Sequence, residues 1–588
     1  MQSMSLILSP AGSYDALRAA IDGGADEVYL GGMQFNARAG AKNFDEKQLI
    51  SAGALCREHG VHLLITLNTL IEDKELESVL GYVDFLQKEV RPHAYIVQDL
   101  GLAKRLKEQF PHAILHASTQ LRQHAGAGGK LLKELGFSRV VLARELAKED
   151  IASFVRNSGV ESEVFVHGAL CVCESGGCLM SSMIGRRSGN RGECAQPCRL
   201  PYRGANPYPL SLKDNCLASY LQELDQMGVT ALKIEGRMKA PEYVYAVTSI
   251  YRRLLDEGRM PTENELKRLE NAFSRSGFTA GYYQKKVDPR MFGIRREEDK
   301  KNTAKVQNAP RLPLPYLRKT TAESPLPMVL PTKDAARLFP PKEQLGYVAR
   351  FEGLIPRDLS AFADAARIDI PLWRVEEANI KGLESKISVI LPRVTFDREE
   401  EQIKTLLAKA YAKGIRHATV PNLSQLHLVK DFYLHGDYPL NVYNKEAREV
   451  LEGYSFSSLF LSPELDAKSF GFSPTASEAL GYGRLPLMHT ETCIICNIKG
   501  DCTHSKGQCK ASLVDRTGAS FPVLRGNGHR NLIYNSIPTY RLDKRKEYKK
   551  SGVGLMTLLF TTETEAEMKS IVEAYRTSAP PKGQYTRR

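Results

Sequence analysis

The stretch that decides the fold is residues 137–168, FSRVVLARELAKEDIASFVRNSGVESEVFVHG. Its two apolar runs, at 139–144 and 163–168, are separated by an amphipathic segment, which is the pattern of a strand, a helix and a second strand. Six further runs of the same kind lie in the first 240 residues: LILSP (6–10), EVYLGG (27–32), HLLITLN (62–68), AYIVQD (94–99), AILHAS (113–118) and ALKIEG (231–236). Eight strand–helix units predict an α/β fold, a (β/α)8 TIM-like barrel.

The second half of the chain repeats landmarks of the first half in the same order. Glu145-Leu146 corresponds to Glu464-Leu465, and Gly168 corresponds to Gly483. A cysteine-rich loop follows each copy, and two shorter matches come after it: Ser-Leu-x-Asp at 211–214 and 512–515, and Tyr-Arg at 251–252 and 575–576. The repeat predicts a second, diverged β/α barrel-like domain.

Size and composition set the predicted domain boundaries. The 588 residues are too many for one ordinary core. We expect a barrel at 1–287, a basic, proline-rich linker at 288–324, a diverged second barrel at 325–578 with its own cysteine cluster inside 481–535, and a tail at 579–588. Hydrophobic residues make up 42% of the chain, and no stretch approaches the roughly 20 apolar residues that cross a bilayer. The expectation is a cytoplasmic protein without membrane association.

The formal net charge of +13 includes basic runs at 186–191 and 541–550. Such a surface suits a polyanion such as RNA, and a solvated basic surface is the alternative. Within the first run, we predict that Arg186, Arg187 and Arg191 bind substrate or RNA.

Two groups of cysteines are candidate metal ligands. Cys171, Cys178, Cys194 and Cys198 follow the seventh predicted strand, at the face where such barrels carry their active sites. Zinc and iron–sulfur clusters both take thiolates; this spacing has only one close pair and favours a 4Fe–4S cluster. The second group is Cys493, Cys496, Cys502 and Cys509, with His504 and His529 nearby, and there zinc and a second iron–sulfur cluster remain equally open.

Polar residues at predicted strand ends are candidates for catalysis. His116 and His167 suit acid–base chemistry or substrate binding, and hydrogen-bonded structural histidines are the alternative. Glu235 and Arg237, in KIEGRMK, are expected either to fix an anionic substrate or to close the barrel. The chain contains no His-Glu-x-x-His zinc helix and no Gly-x-Ser-x-Gly elbow, so no known peptidase machinery is visible.

These segments together resemble the collagenase-like peptidase family U32. The matching stretches run from SPAGSYDALRAAIDGGADEVYLGG through FNARA, VVLAREL, EVFVHGALC and NRGECAQPCRLPY to LKIEGRMKAPEYV, over about residues 5–285. The resemblance implies that Cys171, Cys178, Cys194 and Cys198 are cluster ligands. The C-terminal half, with LSPEL, LPLM and DRTGASFPV, resembles the extra domain of the branch that makes 5-hydroxycytidine in 23S ribosomal RNA.

The resemblance implies an iron–sulfur-dependent, oxygen-independent hydroxylation of a pyrimidine in RNA, with prephenate as the hydroxyl source and rRNA favoured over tRNA. Cys173 inside the signature, and His529 where relatives often have cysteine, depart from the family pattern. Two alternatives stay open. One is a peptidase acting on collagen-like or unfolded polypeptides, and the other is a non-catalytic iron–sulfur assembly partner.

Overall fold

The computed structural model describes residues 5–204, 206–306, 313–314, 323–334, 345–465, 473, 475–500, 509–577 and 585–586. Two compact units emerge: residues 1–329 with 490–500, and residues 330–489 with 501–588. Within the described part of the chain, no helix is long and apolar enough to cross a membrane.

The first unit is built on a closed barrel of eight parallel strands. Strand β1 pairs with β2 on one side and with β9 on the other, and β7 pairs with both β6 and β9, which closes the ring. The short strand β8 runs antiparallel to β7 outside the ring, and β10 pairs with β8. The strands are β1 (Leu6–Pro10), β2 (Glu27–Leu30), β3 (His62–Leu67), β4 (Ala94–Val97), β5 (Leu115–Ala117), β6 (Phe137–Val141), β7 (Glu161–Ala169), β8 (Asp214–Cys216), β9 (Ala231–Ile234) and β10 (Phe278–Thr279).

Helices cover the outside of this barrel, and local signals set their ends. Asp45 and Gln48 form a capping box at the start of α2, and α9 begins with Pro241 and ends at Gly258 in the left-handed region. The helices are α1 (Tyr14–Asp22), α2 (Glu46–Glu58), α3 (Leu76–Phe85), α4 (Leu100–Gln109), α5 (Gly126–Glu134), α6 (Lys148–Ser158), α7 (Met180–Gly185), α8 (Leu221–Gln226), α9 (Pro241–Glu257), α10 (Glu263–Ala272) and α11 (Glu297–Val306).

The second unit is also a closed barrel of eight parallel strands, so the predicted second barrel is confirmed. Strands β11 to β16 follow one another around the ring, and β17 and β23 complete it. The strands are β11 (Gly346–Phe351), β12 (Arg367–Pro371), β13 (Ile387–Ile390), β14 (His417–Val420), β15 (Tyr433–Gly436), β16 (Phe456–Phe460), β17 (Ala476–Gly483), β18 (Pro486–Thr490), β19 (Lys510–Val514), β20 (Ser520–Arg525), β21 (Asn531–Tyr534), β22 (Thr539–Tyr540) and β23 (Val553–Phe560).

Between β17 and β23 the chain forms a separate four-stranded sheet in the order β18-β21-β20-β19. The helices of the second half are α12 (Glu400–Ala412), α13 (Lys445–Glu452), α14 (Ile494–Lys499), α15 (Arg545–Lys550) and α16 (Glu565–Thr577). Two of its strand connections have short 3-10 helices where the first barrel has α-helices, at 360–362 between β11 and β12 and at 423–428 between β14 and β15.

The two barrels repeat one structural detail at matching positions. An ideal Cβ on Gly168 would lie 2.5 Å from the Glu235 carbonyl oxygen, and one on Gly483 would lie 2.3 Å from that of Leu559. Both glycines have a positive φ, of 101° and 132°. In the first barrel β7 therefore approaches the end of β9 too closely for any side chain, and in the second barrel β17 approaches β23 in the same way. This supports the alignment of Gly168 with Gly483.

One predicted landmark of the repeat is wrong. Asp214, at the end of the first Ser-Leu-x-Asp, begins β8, which pairs antiparallel with β7, whereas Asp515, at the end of the second, follows β19 in the separate sheet. The structural counterpart of β8 is β22, which pairs antiparallel with β17. Three identical residues are too few to fix a correspondence where one copy carries an inserted sheet.

The predicted linker is more ordered than its proline content suggests. It contains α11, and residues 323–329, which run from its end into the range predicted for the second barrel, are held against the first barrel. The boundary between the two units lies at 329/330 and not at the predicted 324/325. The Val329 amide donates to the Glu134 carbonyl at 2.7 Å, and the Glu323 side chain is 2% exposed. The stretch is thus part of the first unit, because a buried glutamate anchors it.

Candidate active site at the mouth of the first barrel

The first cysteine group lies in the loop that follows β7, as the sequence predicts. Burial raises the pKa of the Cys198 thiol to about 12, and Arg199 opposes this rise. The same thiol interacts electrostatically with each of the other three cysteines, Cys171, Cys178 and Cys194. The four thiols therefore form one group at this end of the barrel.

Left-handed backbone conformations shape the loop around the last two of these cysteines. Gln196 adopts the left-handed conformation, with φ 55°, and its amide donates to Cys194 Sγ at 3.4 Å. Amide hydrogen bonds to cysteine sulfur are a feature that tunes iron–sulfur sites. Gly192, with φ 86°, allows the preceding turn to lie against the Asn36 carbonyl, where a Cβ would come within 2.3 Å.

The donor set fits a thiolate-bound metal. Four thiols are soft ligands that suit an iron–sulfur cluster or zinc. Among the residues that the structure describes, no three His, Cys, Asp or Glu side chains are already disposed around a single metal position. In this structure the cysteine loop thus presents neighbouring thiols that are not yet arranged around one metal position.

A charged cluster stands beside the thiols. Glu235, which follows β9, lies 3.4 Å from Arg38 and 3.5 Å from Arg144. Burial alone would raise the pKa of Glu235, but Arg38 and Arg144 bring it below its ordinary value. Arg144 also stacks over the Phe165 ring at 4.3 Å and donates to Ser175 Oγ at 2.6 Å. Two guanidinium groups thus share one carboxylate.

Arg38 joins this cluster to the cysteines. Its pKa is raised above the ordinary value chiefly by Glu235, against the effect of burial, and further by Cys171 and Cys194. Its side chain is 36% exposed. The charged cluster and the thiols are therefore parts of one site, with Arg38 reachable from solvent.

Arg237 does not form the predicted pair with Glu235 among the described contacts. Its Nη1 donates to Thr66 Oγ1 at 3.1 Å, and its Nη2 donates to the amide oxygens of Asn36 at 2.9 Å and Asn43 at 2.7 Å. Burial lowers the pKa of Arg237 to about 10. This arginine ties the loop after β9 to the loop after β2 and to strand β3, which matches the barrel-closing alternative.

His116 lies in an ionic network at the amino ends of the strands, away from the mouth where the sequence placed it. Its Nε2 is 2.8 Å from Glu323 Oε1, and the imidazole is fully buried. Arg139, in the same network, pairs with Glu27 at 2.6 Å and with Glu161 at 2.9 Å. The second residue of a short strand lies near the barrel floor, which the apolar pattern alone could not show.

His167 is a residue of β7, and its side chain packs against α9, the helix that covers this strand. Its Nδ1 is 3.0 Å from the Tyr251 hydroxyl, and Phe278 contacts the ring edge-on. Burial lowers the pKa of His167 to about 3, so the imidazole is neutral near pH 7. A register shift in β7 between Phe165 and His167 accounts for its outward direction.

The three arginines of the basic run differ in their contacts. Arg191 forms a bidentate ion pair with Glu75 and donates to the Leu70 carbonyl at 2.8 Å, so it holds the loop in place. Arg186 and Arg187 are exposed beside the half-exposed Ile184. Only these last two offer an open basic surface.

The second cysteine group is described in part. Residues 490–500, with Cys493 and Cys496, belong to the first compact unit. Asn497 Nδ2 donates to the Pro209 carbonyl at 2.7 Å, and the Cys496 amide donates to Cys493 Sγ at 3.4 Å. Cys502 and His504 lie outside the described residues, Cys509 precedes β19, and His529 is exposed between β20 and β21.

Sequence reasoning missed three side chains of this site. Arg38 stands in the FNARA segment, which was noted only as part of the family resemblance. His124 Nε2 lies 2.7 Å from Glu145 Oε1; burial lowers the pKa of this histidine, but Glu145 makes the net shift upward. Burial lowers the pKa of Lys239, two residues after Arg237, to about 7. The one sequence signal for His124 and Lys239 is that each follows the end of a strand by five to seven residues.

Comparisons with known proteins agree on one family. Residues 12–292 match the model of peptidase family U32. Over 260 residues the chain is 40% identical to the 23S rRNA 5-hydroxycytidine synthase of Escherichia coli K12, covering 42% of this chain and 39% of that protein. It is 31% identical over 324 residues to tRNA hydroxylation protein P1 of Bacillus subtilis 168, covering 50% of this chain and 75% of that protein.

A third relative carries a different name. The chain is 34% identical over 307 residues to a collagenase of Porphyromonas gingivalis W83, covering 47% of this chain and 73% of that protein. The residues that match the family model, 12–292, include the cysteine loop and strands β2 to β10 of the first unit, which hold the site described above. The chain belongs to peptidase family U32.

Proposed function

We propose that the chain is an iron–sulfur RNA hydroxylase that modifies a pyrimidine base without molecular oxygen, with 5-hydroxycytidine in 23S rRNA as the product and prephenate as the hydroxyl source. The observation that carries the proposal is Arg38, which lies 3.4 Å from Glu235 and next to Ala39, whose amide donates to the Gly192 carbonyl of the cysteine loop at 3.3 Å. A ligand at the barrel mouth would touch both groups. The names of the rRNA and tRNA relatives support RNA as the substrate.

Cys171, Cys178, Cys194 and Cys198 would hold the 4Fe–4S cluster, which when bound supplies a Lewis-acidic or electron-transferring centre. The chain's own residues would do the rest. Arg38 and Arg144 share the single carboxylate of Glu235 and so retain positive charge toward an anionic co-substrate such as prephenate. Arg237, which the sequence suggested for binding the anionic substrate, is less suited to it because its terminal nitrogens already donate to three oxygens.

His124 is placed to handle a proton. Glu145 holds its ring at 2.7 Å and raises the pKa of the imidazole, which makes the neutral ring a stronger base. Hydroxylation of a pyrimidine carbon requires that carbon to lose a proton, and a histidine–carboxylate pair is a common acceptor or relay. The exposed Arg186 and Arg187 would contact RNA phosphates, since neither is used in an ion pair among the described residues.

The test is loss of the modified nucleoside in a host that lacks the gene, followed by complementation. RNA mass spectrometry should show that 5-hydroxycytidine disappears and returns with the wild-type chain. Cys194→Ser should fail to restore it and should lower iron below the about four atoms per chain of a 4Fe–4S cluster in anaerobically purified protein. Cys216→Ser is the matched control, because this thiol belongs to β8 and lies 3.6 Å from the Tyr251 hydroxyl.

Arg38→Gln separates binding of the co-substrate from holding the cluster. We expect it to keep normal iron and to lower modification at least tenfold, since one charge-assisted contact contributes about 1.5–3 kcal/mol. Arg156→Gln, an exposed arginine on α6, should change neither quantity. Unaltered 5-hydroxypyrimidines after gene deletion would defeat the proposal.

A peptidase is the second candidate, favoured by the collagenase among the relatives. It predicts that anaerobically purified protein cleaves gelatin and that Cys194→Ser retains this activity. Two results together would exclude the peptidase: the wild type does not cleave gelatin, and Cys194→Ser loses both its iron and the modified RNA.

A further inference from the structure

The second barrel has a cleft of its own at the carboxyl ends of its strands. The cleft is lined by residues that follow β11, β12 and β13 and by the hairpin of β20 and β21. It has a volume of about 510 Å³, which includes space open to solvent. The carboxyl end of the strands is where (β/α)8 barrels bind their ligands. All of its lining residues belong to the second unit, so this cleft is separate from the site at the first barrel.

Arginine side chains dominate the lining. Two of them have carboxylate partners that stand outside the cleft: Arg374 pairs with Glu377 at 2.6 Å, and Arg530 pairs with Glu399 at 2.7 Å. A third, Arg393, pairs with Glu352 inside the cleft. The fourth, Arg525, is exposed and donates through Nε to the Gly528 carbonyl at 2.8 Å. It forms no ion pair with any described residue. Positive charge therefore faces the cleft, and the balancing negative charge lies behind it.

The single carboxylate that lines the cleft is already neutralised. Glu352 lies 2.8 Å from Arg350 and 3.1 Å from Arg393, and the Tyr534 hydroxyl donates to it. Burial alone would raise the pKa of Glu352, but Arg393 and Arg350 lower it to about 2. Arg350 in turn pairs with Asp437 at 2.7 Å. The floor is thus a balanced ionic network that does not repel an anion.

An aromatic side chain stands next to this charge. Trp373, the only tryptophan of the chain, lies half-buried in the 3-10 turn after β12, immediately before Arg374. Pro371 and Pro392 line the cleft beside it. A planar ring beside guanidinium groups suits a ligand with a flat unsaturated ring and a negative group, because nucleobases stack on aromatic rings and arginine binds phosphate.

We propose that this cleft binds a nucleoside phosphate, either free or as a residue of an RNA strand. The base stacks on Trp373, and Arg525 binds the phosphate through its terminal nitrogens, whereas the nitrogens of Arg374 already donate to Glu377 and to two carbonyls and supply positive charge only. The inference goes beyond hydroxylation, since the site would bind its ligand whether or not the first barrel modifies RNA.

Tryptophan fluorescence tests the proposal directly, since Trp373 is the only source of this signal. The full-length protein is titrated with cytidine monophosphate, with a short single-stranded RNA and with inorganic phosphate, under excitation selective for tryptophan. We expect saturable quenching by the RNA. Quenching by the mononucleotide as well would identify a free nucleotide as a sufficient ligand, and quenching by RNA alone would identify the RNA strand as the source.

Arg525→Gln and Arg516→Gln form a matched pair. Both arginines are exposed, one at the end of β20 and the other in the turn before its start, outside the cleft. Arg525→Gln should weaken binding about tenfold and reduce its salt dependence by about one phosphate contact, and Arg516→Gln should leave both unchanged. Filter binding of Trp373→Ala should show a loss of about tenfold, and Trp373→Phe should restore most of it.

Three results would overturn the proposal: no quenching by either nucleotide ligand, equal weakening by the two arginine variants, or quenching by inorganic phosphate as strong as by the nucleotide. Circular dichroism of each variant establishes that its fold is intact. Since Arg525 forms no ion pair within the described part of the chain, Arg525→Gln is expected to fold normally.

Discussion

Replacing Glu323 with alanine should loosen the floor of the first barrel. This carboxylate lies 2.8 Å from His116, 3.0 Å from His93 and 2.6 Å from Ser138, with its side chain 2% exposed. Each hydrogen bond to a buried charge contributes about 1.5–3 kcal/mol. His93 is 17% exposed and can turn to water, whereas His116 is fully buried and cannot.

Arg139 limits the size of the effect. It lies 3.5 Å from Glu323, but it keeps its pairs with Glu27 and Glu161 in the variant. The loss should therefore fall near the lower end of the about 3–5 kcal/mol that breaking a buried ion pair costs. About 3 kcal/mol corresponds to roughly a hundredfold change in an opening equilibrium.

Hydrogen exchange measured by mass spectrometry can detect this change locally. Peptides that cover β5 and β6 should exchange about a hundredfold faster in Glu323→Ala than in the wild type, if opening there follows the local free energy. Glu297→Ala is the control, because that glutamate is exposed on α11 and its one ion pair with a described residue is to Lys300. Unchanged protection of β5 and β6, or an equal change in the control, would refute the reasoning.

The same carboxylate predicts a pH dependence. His116, His93 and Arg139 bring the pKa of Glu323 well below its ordinary value of 4.5, although burial acts in the opposite direction. The unfolded chain therefore binds a proton before the folded one does. Its stabilising effect is fully present above about pH 4.5 and declines as the pH falls below that value, so wild type and Glu323→Gln should converge in acid.

Three further predictions concern other parts of the first unit. The pKa of His167 is lowered by burial from 6.5 to about 3, so unfolding is favoured as the pH falls through this range. The urea midpoint of His167→Gln should therefore change less with pH between about 6.5 and 3 than that of the wild type. An ideal Cβ on Gly12 would lie 1.6 Å from a carbonyl oxygen, so Gly12→Ala should lower the urea midpoint by the equivalent of about 3 kcal/mol, whereas Gly81→Ala, in open space on α3, should raise it by about 0.5–1 kcal/mol. Asn497→Ala removes hydrogen bonds to the Pro209 carbonyl and from Asn206, and residues 490–500 should then exchange amide hydrogens about tenfold faster; exchange like that of the wild type would contradict this docking.

The sequence by itself determined both barrels. All eight apolar runs of the first half became strands of the ring, because strands of a parallel barrel are covered on both faces and remain apolar along their length. The repeat predicted the second ring, and Gly168 and Gly483 confirm its register, since a close approach between strands excludes every side chain. The position of the first cysteine loop after β7 followed from the same count.

Only the tertiary structure decided which side chains meet. Arg38 reaches Glu235 across 197 residues, and Glu323 reaches His116 across 207 residues, and no local pattern encodes such contacts. The direction of a side chain also depends on strand stagger and on register shifts, which turned His167 outward and left His116 at the floor. Charge and hydrophobic periodicity therefore fix the scaffold, whereas the partners of each buried charge emerge when the ring closes and brings distant loops to the same end.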